Sequence, residues 1–267
     1  MGKKKVEPRR VEVAFDVGVA ALEPDARFVE LCEGYGIAFD EGDVERLGKY
    51  LALLIEANKA FNLTSITEPA AAWERHVFDS LTLMPFIEEG TEGRRDEGTE
   101  GGEPISVIDV GSGGGLPGIP LAIAMPHVSF TLLEATGKKC RFLEIVCAEL
   151  GLGNVEVVQG RAEVMGQDRD RYRETFDVGV ARAVGKLAVV AELVTPFVRQ
   201  GGRALLIKGE RAEEELAEAD AALKLLHAVH VGTVPTPTGR VVVLEKGART
   251  PRAYPRKSGE PKKSPLG

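Results

Sequence analysis

The chain has 267 residues, 43% of them hydrophobic, and a formal net charge of −7, which is enough apolar material for one substantial α/β domain with a small appendage. No apolar run approaches the ~18 residues of a membrane span and no basic-then-apolar leader opens the chain, so a soluble, cytoplasmic protein is expected. Cys32, Cys140 and Cys147 fall in no metal-ligand spacing, so neither a zinc module nor a disulfide scaffold is read, and small buried side chains in a reducing compartment are expected.

Residues 1–24 show no sustained period, and with Lys3, Lys4, Lys5, Arg9 and Arg10 they are expected to form a basic, disordered extension. From Asp25 onward, Phe28, Leu31, Cys32 and Tyr35 recur on one helical face, with Gly36 as the stop. A second helix carries Val44, Leu47, Leu51, Leu54, Ile55 and Phe61 on one side, with Asp40 as the expected N-cap. Asn62 to Thr67 reads as a turn-rich link. Pro69 then opens a third helix with Trp73, Val77, Leu81 and Met84 on its apolar stripe. Residues 25–87 are therefore expected to form an all-helical N-terminal cap.

Residues 88–104 hold seven acids and two bases in a near-repeat rich in glycine. Such a stretch cannot bury enough surface to offset its ordering entropy, so an acidic, low-complexity insert is expected, and no chemistry is assigned to it. It also accounts for most of the net charge. The chain from Lys246 to Gly267 is the opposite, with seven Lys or Arg against the single acid Glu260. A phosphate backbone responds to such a local patch within a Debye length of ~8 Å, whatever the overall pI.

At Ile105 the pattern changes to alternating strand and helix. Strands are expected at 105–110, 128–133, 155–159, 176–181, 203–207, 228–234 and 241–245, and helices at 117–125, 137–150, 186–199 and 211–226. Strands separated by helices imply a parallel sheet covered on both faces. The last two strands have no helix between them and are expected to pair antiparallel. A parallel sheet ending in such a hairpin resembles the Rossmann-like, class I S-adenosylmethionine-dependent methyltransferase fold, a seven-stranded mixed sheet. The core domain is expected over 105–247, with a basic C-terminal tail over 248–267.

The first of these strands ends in Asp109-Val-Gly111-Ser-Gly113-Gly-Gly115-Leu116-Pro117-Gly118. Glycines there let the chain turn sharply and let a ligand approach bare backbone. A dinucleotide fingerprint would need glycine at 116, where leucine stands, which disfavours a nicotinamide oxidoreductase without removing it. Glu134 ends the second strand, where an acid can accept hydrogen bonds from both hydroxyls of an adenosyl ribose. Gly160-Arg161-Ala162-Glu163 follows the third strand and is placed to border an adenine. Arg182 ends the fourth and is aimed into the cleft.

Together with Asn62-Leu-Thr-Ser, Arg75-His76-x-x-Asp79-Ser80, Lys208-Gly209 and Tyr254-Pro-Arg-Lys, these motifs resemble the glucose-inhibited division protein B family. Its members are bacterial methyltransferases that modify guanine N7 in 16S ribosomal RNA of the small subunit. The resemblance covers residues 25–267 apart from the insert. It implies S-adenosylmethionine contacts at Gly111, Gly113, Leu116, Glu134, Ala135, Thr136, Ala162, Glu163 and Arg182, with Arg182 also in a positioning role in catalysis. Leu116 departs from the aromatic residue frequent there in relatives.

Guanine N7 carries a lone pair and no hydrogen, so in-line attack on a sulfonium methyl needs no general base. Neither the Asn/Asp-Pro-Pro-Tyr/Phe motif of amino-nitrogen methyltransferases nor a Pro-Cys nucleophile is present. Lys208, Arg211, Arg252, Arg256 and Lys257 are the expected RNA contacts, and Tyr254 either stacks on a base or packs. Arg75, His76 and Asp79 share a helical face that either ties the cap to the sheet or lines the cleft. His127, His227 and His230 form no ligand set and are read as structural. No metal and no membrane partner is expected, and the chain is read as a monomer. A ribosome-assembly factor that keeps the fold without turnover remains a competing reading.

Overall fold

The computed structural model describes residues 15–89, 104–182 and 185–267. Three helical stretches lead: α1 (Ala26–Tyr35), α2 (Asp43–Phe61), and a run made of α3 (Pro69–Ala72), a π-helical segment (Trp73–Phe78) and α4 (Asp79–Leu81), followed by α5 (Met84–Glu89). Then come β1 (Ser106–Val110), α6 (Gly118–Ala124), β2 (Ser129–Glu134), α7 (Gly137–Glu149), β3 (Val155–Gln159) and α8 (Ala162–Met165). The chain continues through β4 (Phe176–Arg182), α9 (Leu187–Val194), β5 (Val198–Lys208), α10 (Ala212–Glu218) and α11 (Asp220–Leu226). It closes with β6 (Ala228–Thr236), β7 (Gly239–Lys246) and the short α12 (Glu260–Lys263).

The seven strands form one sheet in the order β3-β2-β1-β4-β5-β7-β6. The first five are parallel, and β7 inserts antiparallel between β5 and β6. This is the class I methyltransferase arrangement, and the strand order reverses between β1 and β4, where such sheets open a crevice. Alternation along each strand divides the core in two. Leu205 and Ile207 of β5 face the cap, α6 and α7, whereas Ala204 and Leu206 face α9, α10 and α11. Because α2 and the π-helical run share the first of these cores with the sheet, α6 and α7, the cap packs as part of the main body.

Asp25 caps α1, accepting from the Phe28 amide at 2.8 Å, and Gly36 ends it at φ 73°. Asp40 does not cap α2. Gly42 takes that place, and the Asp43 carboxylate accepts from the Asp40 amide at 3.0 Å, because two turn residues intervene before the helix begins. The helix expected over 186–199 stops at Val194, where Pro196 cannot continue it. The one expected over 211–226 breaks at Ala219.

One terminal expectation changes. Residues 15–24 were expected within a disordered extension, yet Phe15, Val17, Val19 and Leu22 pack on the first core. Lys49 Nζ donates to the carbonyls of Val17 and Val19, Trp73 Nε1 donates to Glu23 O at 2.9 Å, and the Leu22 amide donates to Gly48 O at 3.1 Å. Glycine is required at 48, since a Cβ there would lie 2.2 Å from Leu22 O. Residues 1–14, and 90–103 of the acidic insert, lie outside the described residues. At the other end, the basic tail folds back onto the body. Buried Arg173 donates to the carbonyls of Thr250 (2.8 Å), Pro251 (3.2 Å) and Tyr254 (2.8 Å), and Gln167 to that of Pro255 (2.8 Å).

Candidate functional site

At the carboxyl end of β1 the chain turns through Gly111, Gly113 and Gly115, all at positive φ (78°, 58° and 95°). A side chain at those values is strained by roughly 1–2 kcal/mol, so the spacing of the glycines is the spacing of the left-handed positions. The Gly111 and Ser112 amides both donate to Leu133 O, at 2.8 and 3.2 Å, joining the turn to the end of β2. The Glu134 carboxylate completes the tie: Oε2 accepts from the Gly113 amide at 3.0 Å and Oε1 from Thr136 at 2.7 Å. Each oxygen keeps a lone pair for a further donor.

Beneath the turn, Asp109 is fully buried, with Oδ2 accepting from the Gly118 amide at 3.0 Å and Oδ1 without a partner. Desolvation pushes its pKa up to about 7. The cap grips the same loop from the other side. Tyr50 of α2, wholly buried, donates its hydroxyl to Gly114 O at 2.8 Å. A Cβ at residue 114 would lie 2.8 Å from Leu54 Cδ1, so the leucine methyl packs directly against bare peptide there. At Gly113, by contrast, only Gly111 O comes within 4 Å of such a carbon, at 3.8 Å. This turn is therefore packed below and open above. Bare peptide next to a carboxylate with spare lone pairs fits a ribose-bearing sulfonium donor.

Beside this crevice lies a cleft of about 640 Å³, lined by residues 63–66 of the link, Arg75, His76 and Asp79 of the helical run, Arg182, residues 207–211, Glu215 and Thr238. Arg182 is one of its lining residues and is close enough to the glycine turn for its charge to act on Asp109 and Tyr50. Its Nη1 donates to Arg75 O and its Nη2 to His76 Nδ1 at 3.1 Å, and Asp79 Oδ2 lies 3.8 Å from Nη1. His76 Nε2 is 2.8 Å from Thr64 Oγ1, and Asn58 Oδ1 shapes that link by accepting from the Thr64 amide at 2.9 Å. The antiparallel hairpin contributes Thr238, whose hydroxyl donates to Asp79 Oδ1 and whose carbonyl accepts from Arg75 Nη1 at 2.7 Å. Burial first, and then the Arg182 charge, lower the His76 pKa to about 4.

The two readings of Arg75, His76 and Asp79 thus hold together, for the trio ties the cap to the sheet and lines the cleft in doing so. Gly111, Ala135 and Thr136 are exposed around Glu134. Leu116 is buried in the core, 6% exposed, so only its backbone can border the crevice. Ala162 and Glu163 begin α8, with Glu163 Oε1 accepting from the Gly259 amide at 2.8 Å.

Of the expected RNA contacts, Arg211, Arg252 and Lys257 are exposed. Lys208 lies at the cleft but is bound to Glu215 and Gly185 O, both at 2.6 Å. Arg256 is engaged within the fold: its Nε and Nη2 donate to the fully buried Glu192 carboxylate at 2.9 and 2.6 Å, so it anchors the tail. A buried carboxylate needs a countercharge, and for Glu192 the tail supplies it.

Burial raises the Cys32, Cys140 and Cys147 thiols to about 12, 11 and 12 respectively, as befits packed apolar side chains. Among the described residues no group of three or more His, Cys, Asp or Glu is placed to hold a metal. Thr64 entered the sequence reading only as a member of the Asn62-Leu-Thr-Ser motif, and Tyr50 and Thr238 were not singled out. Of those two, only Tyr50 left a signal, as a hydroxyl on an apolar helical stripe that must find a partner when buried.

Residues 43–240 match the family described as rRNA small subunit methyltransferase G. The chain is 48% identical over 234 residues to the ribosomal RNA small subunit methyltransferase G of Sorangium cellulosum (strain So ce56), covering 88% of this chain and 92% of that one. It is 40% identical over 243 residues to the protein of the same name from Alkaliphilus oremlandii (strain OhILAs), covering 89% and 96%. With the Leuconostoc citreum (strain KM20) protein of that name it shares 38% over 244 residues, 90% and 98% of the two chains.

Proposed function

The chain belongs to the rRNA small subunit methyltransferase G family, and from that premise we propose that it moves a methyl group from S-adenosylmethionine to N7 of a guanine in 16S ribosomal RNA. When bound, the donor supplies an electrophilic methyl on a sulfonium. Everything else in the reaction falls to side chains that hold the two partners in line.

In this reading the donor lies along Gly111–Gly115, with its ribose on the spare lone pairs of Glu134. Ala135, Thr136, Ala162 and Glu163 border the adenine. The guanine enters the cleft beyond Arg182, which has room for a flipped-out nucleotide. The observation that carries the proposal is that Arg182 lines the cleft while its charge also acts on Asp109 and Tyr50, two side chains that hold the glycine turn, so one guanidinium adjoins both binding regions.

Attack at N7 releases no proton, and the cleft is furnished accordingly. A guanidinium only donates, so the His76 Nδ1 it touches is already spent as an acceptor and cannot serve as a base. Asp79 is occupied by Thr238 and two arginines. Arg211 at the cleft and the exposed Arg252 and Lys257 of the tail supply phosphate contacts, with the enzyme working as a single chain in the cytoplasm, where its substrate subunits are.

The test is transfer of tritiated methyl from S-adenosylmethionine to small subunits purified from a strain deleted for the gene, with the label mapped by borohydride–aniline cleavage. A single labelled, cleavable guanine is expected. Label on an exocyclic amine or a pyrimidine carbon, or none on any RNA, would remove the proposal.

A further inference from the structure

We propose that His76 is a positioning residue whose unprotonated Nδ1 sets the plane of Arg182 at the junction of crevice and cleft. The inference rests on the methyl-transfer reading above, but it is argued from a separate piece of geometry. All five N–H bonds of a guanidinium are donors, so the 3.1 Å contact between Arg182 Nη2 and His76 Nδ1 requires a lone pair on the ring nitrogen. The ring proton is then on Nε2, where Thr64 Oγ1 accepts it at 2.8 Å and Ile66 O stands at 3.3 Å. The tautomer is therefore set from both sides.

The local backbone is built for this contact. Trp73–Phe78 is π-helical, with the Asp79 amide donating to Glu74 O. A π turn widens the helix by one residue and recurs at functional sites, since it turns groups toward a neighbour that a regular helix would space apart. Here it presents two successive acceptors, Arg75 O and His76 Nδ1, to the two terminal nitrogens of one arginine. Held at both Nη atoms, the fork has its plane defined. Its remaining N–H bonds are left for a ligand.

His76 is 2% exposed. The charged groups acting on it are Arg182, from β4, and Arg75, from its own helix; both oppose a proton on the ring. Asp79 balances the guanidinium at 3.8 Å from Nη1. A neutral imidazole can hold a cation in place without repelling it, which neither lysine nor protonated histidine could do. Since displacing a reacting group by about 1 Å can cost ~100-fold in rate, an arginine with free rotamers would be a poor wall.

Three substitutions separate this role from mere packing. His76→Asn places an amide oxygen close to the site of Nδ1 and is expected to keep kcat within about fivefold of the parent. His76→Gln reaches instead toward Thr64, and with His76→Ala is expected to lose about 10- to 100-fold in kcat, with KM for the subunit little changed. In an Arg182→Ala background, His76→Ala is expected to cost nothing further. Additive losses, or a Gln variant as active as the Asn variant, would overturn the proposal.

Nitrogen-15 NMR supplies a readout independent of activity. The His76 ring, identified by its loss in the Asn variant, is expected to show an unprotonated Nδ1 and a protonated Nε2, and the opposite tautomer would refute the assignment even if the Ala variant did not fold. A parent enzyme that labels no guanine would count against the methyl-transfer reading, whereas additivity or the wrong tautomer counts against this one alone.

Discussion

Replacing Tyr50 by Phe removes one oxygen atom and no packing. The hydroxyl is wholly buried and donates to Gly114 O at 2.8 Å, across 64 positions of sequence. Without it the Gly114 carbonyl faces apolar surroundings with no donor, and an unsatisfied buried acceptor costs about 1–3 kcal/mol. The expected loss of folding stability is therefore about 1–2 kcal/mol, read as a lower urea midpoint at unchanged slope.

The same bond also holds the glycine turn ready. If donor binding must restore that order, the dissociation constant for S-adenosylmethionine rises by a similar free energy, roughly 5- to 30-fold, while kcat at saturating donor stays within about twofold. Titration calorimetry of both proteins measures this directly. Leu53→Ala is the control, since that residue is buried in the same helix; a loss of about 2–5 kcal/mol in stability is expected with donor affinity unchanged. If Tyr50→Phe loses stability yet binds the donor as tightly as the parent, the cap does not organise the turn.

Asp109 keeps its proton to about pH 7 when folded, against 3.8 ordinarily. The folded state thus binds the extra proton between those values, and stability falls as pH rises through the window, by up to about 1.4 kcal/mol per unit. Asp109→Asn is expected to flatten that slope in urea titrations at pH 5 to 7.5, and an unaltered slope would contradict it. Arg256→Ala leaves the Glu192 carboxylate buried with one backbone amide for a partner; a loss of about 3–5 kcal/mol is expected. Adding Glu192→Leu should recover most of this, and a loss below about 1 kcal/mol for the single change would show the pair to be incidental. For RNA binding, Arg252→Ala and Lys257→Ala should each lower the slope of log K against log salt by about one. Arg256→Ala should leave that slope unchanged, and equal effects of all three would return Arg256 to the RNA-contacting set.

The local grammar of the chain determined a good deal. Alternation of β-branched runs with helical periods was sufficient for all seven strands and for the antiparallel last pair, because side-chain direction repeats every two residues in a strand and every 3.6 in a helix. Glycines at 111, 113 and 115 announced a sharp turn, and all three take positive φ. Arg182 and Glu134 were legible as strand-end residues, since in a parallel sheet the carboxyl ends are where side chains meet a ligand.

Tertiary structure decided which polar groups satisfy one another. Tyr50 with Gly114, His76 with Arg182, Asp79 with Thr238, and Glu192 with Arg256 lie 64, 106, 159 and 64 positions apart. Periodicity says which face of an element is buried. It says nothing of the partner a buried donor will find, because that depends on which elements the packed core brings side by side. For the same reason a tail that reads as a string of cations became a clamped strap: its charges were legible in the sequence, but the buried carboxylate and carbonyls that hold it exist as a surface only once the sheet has folded.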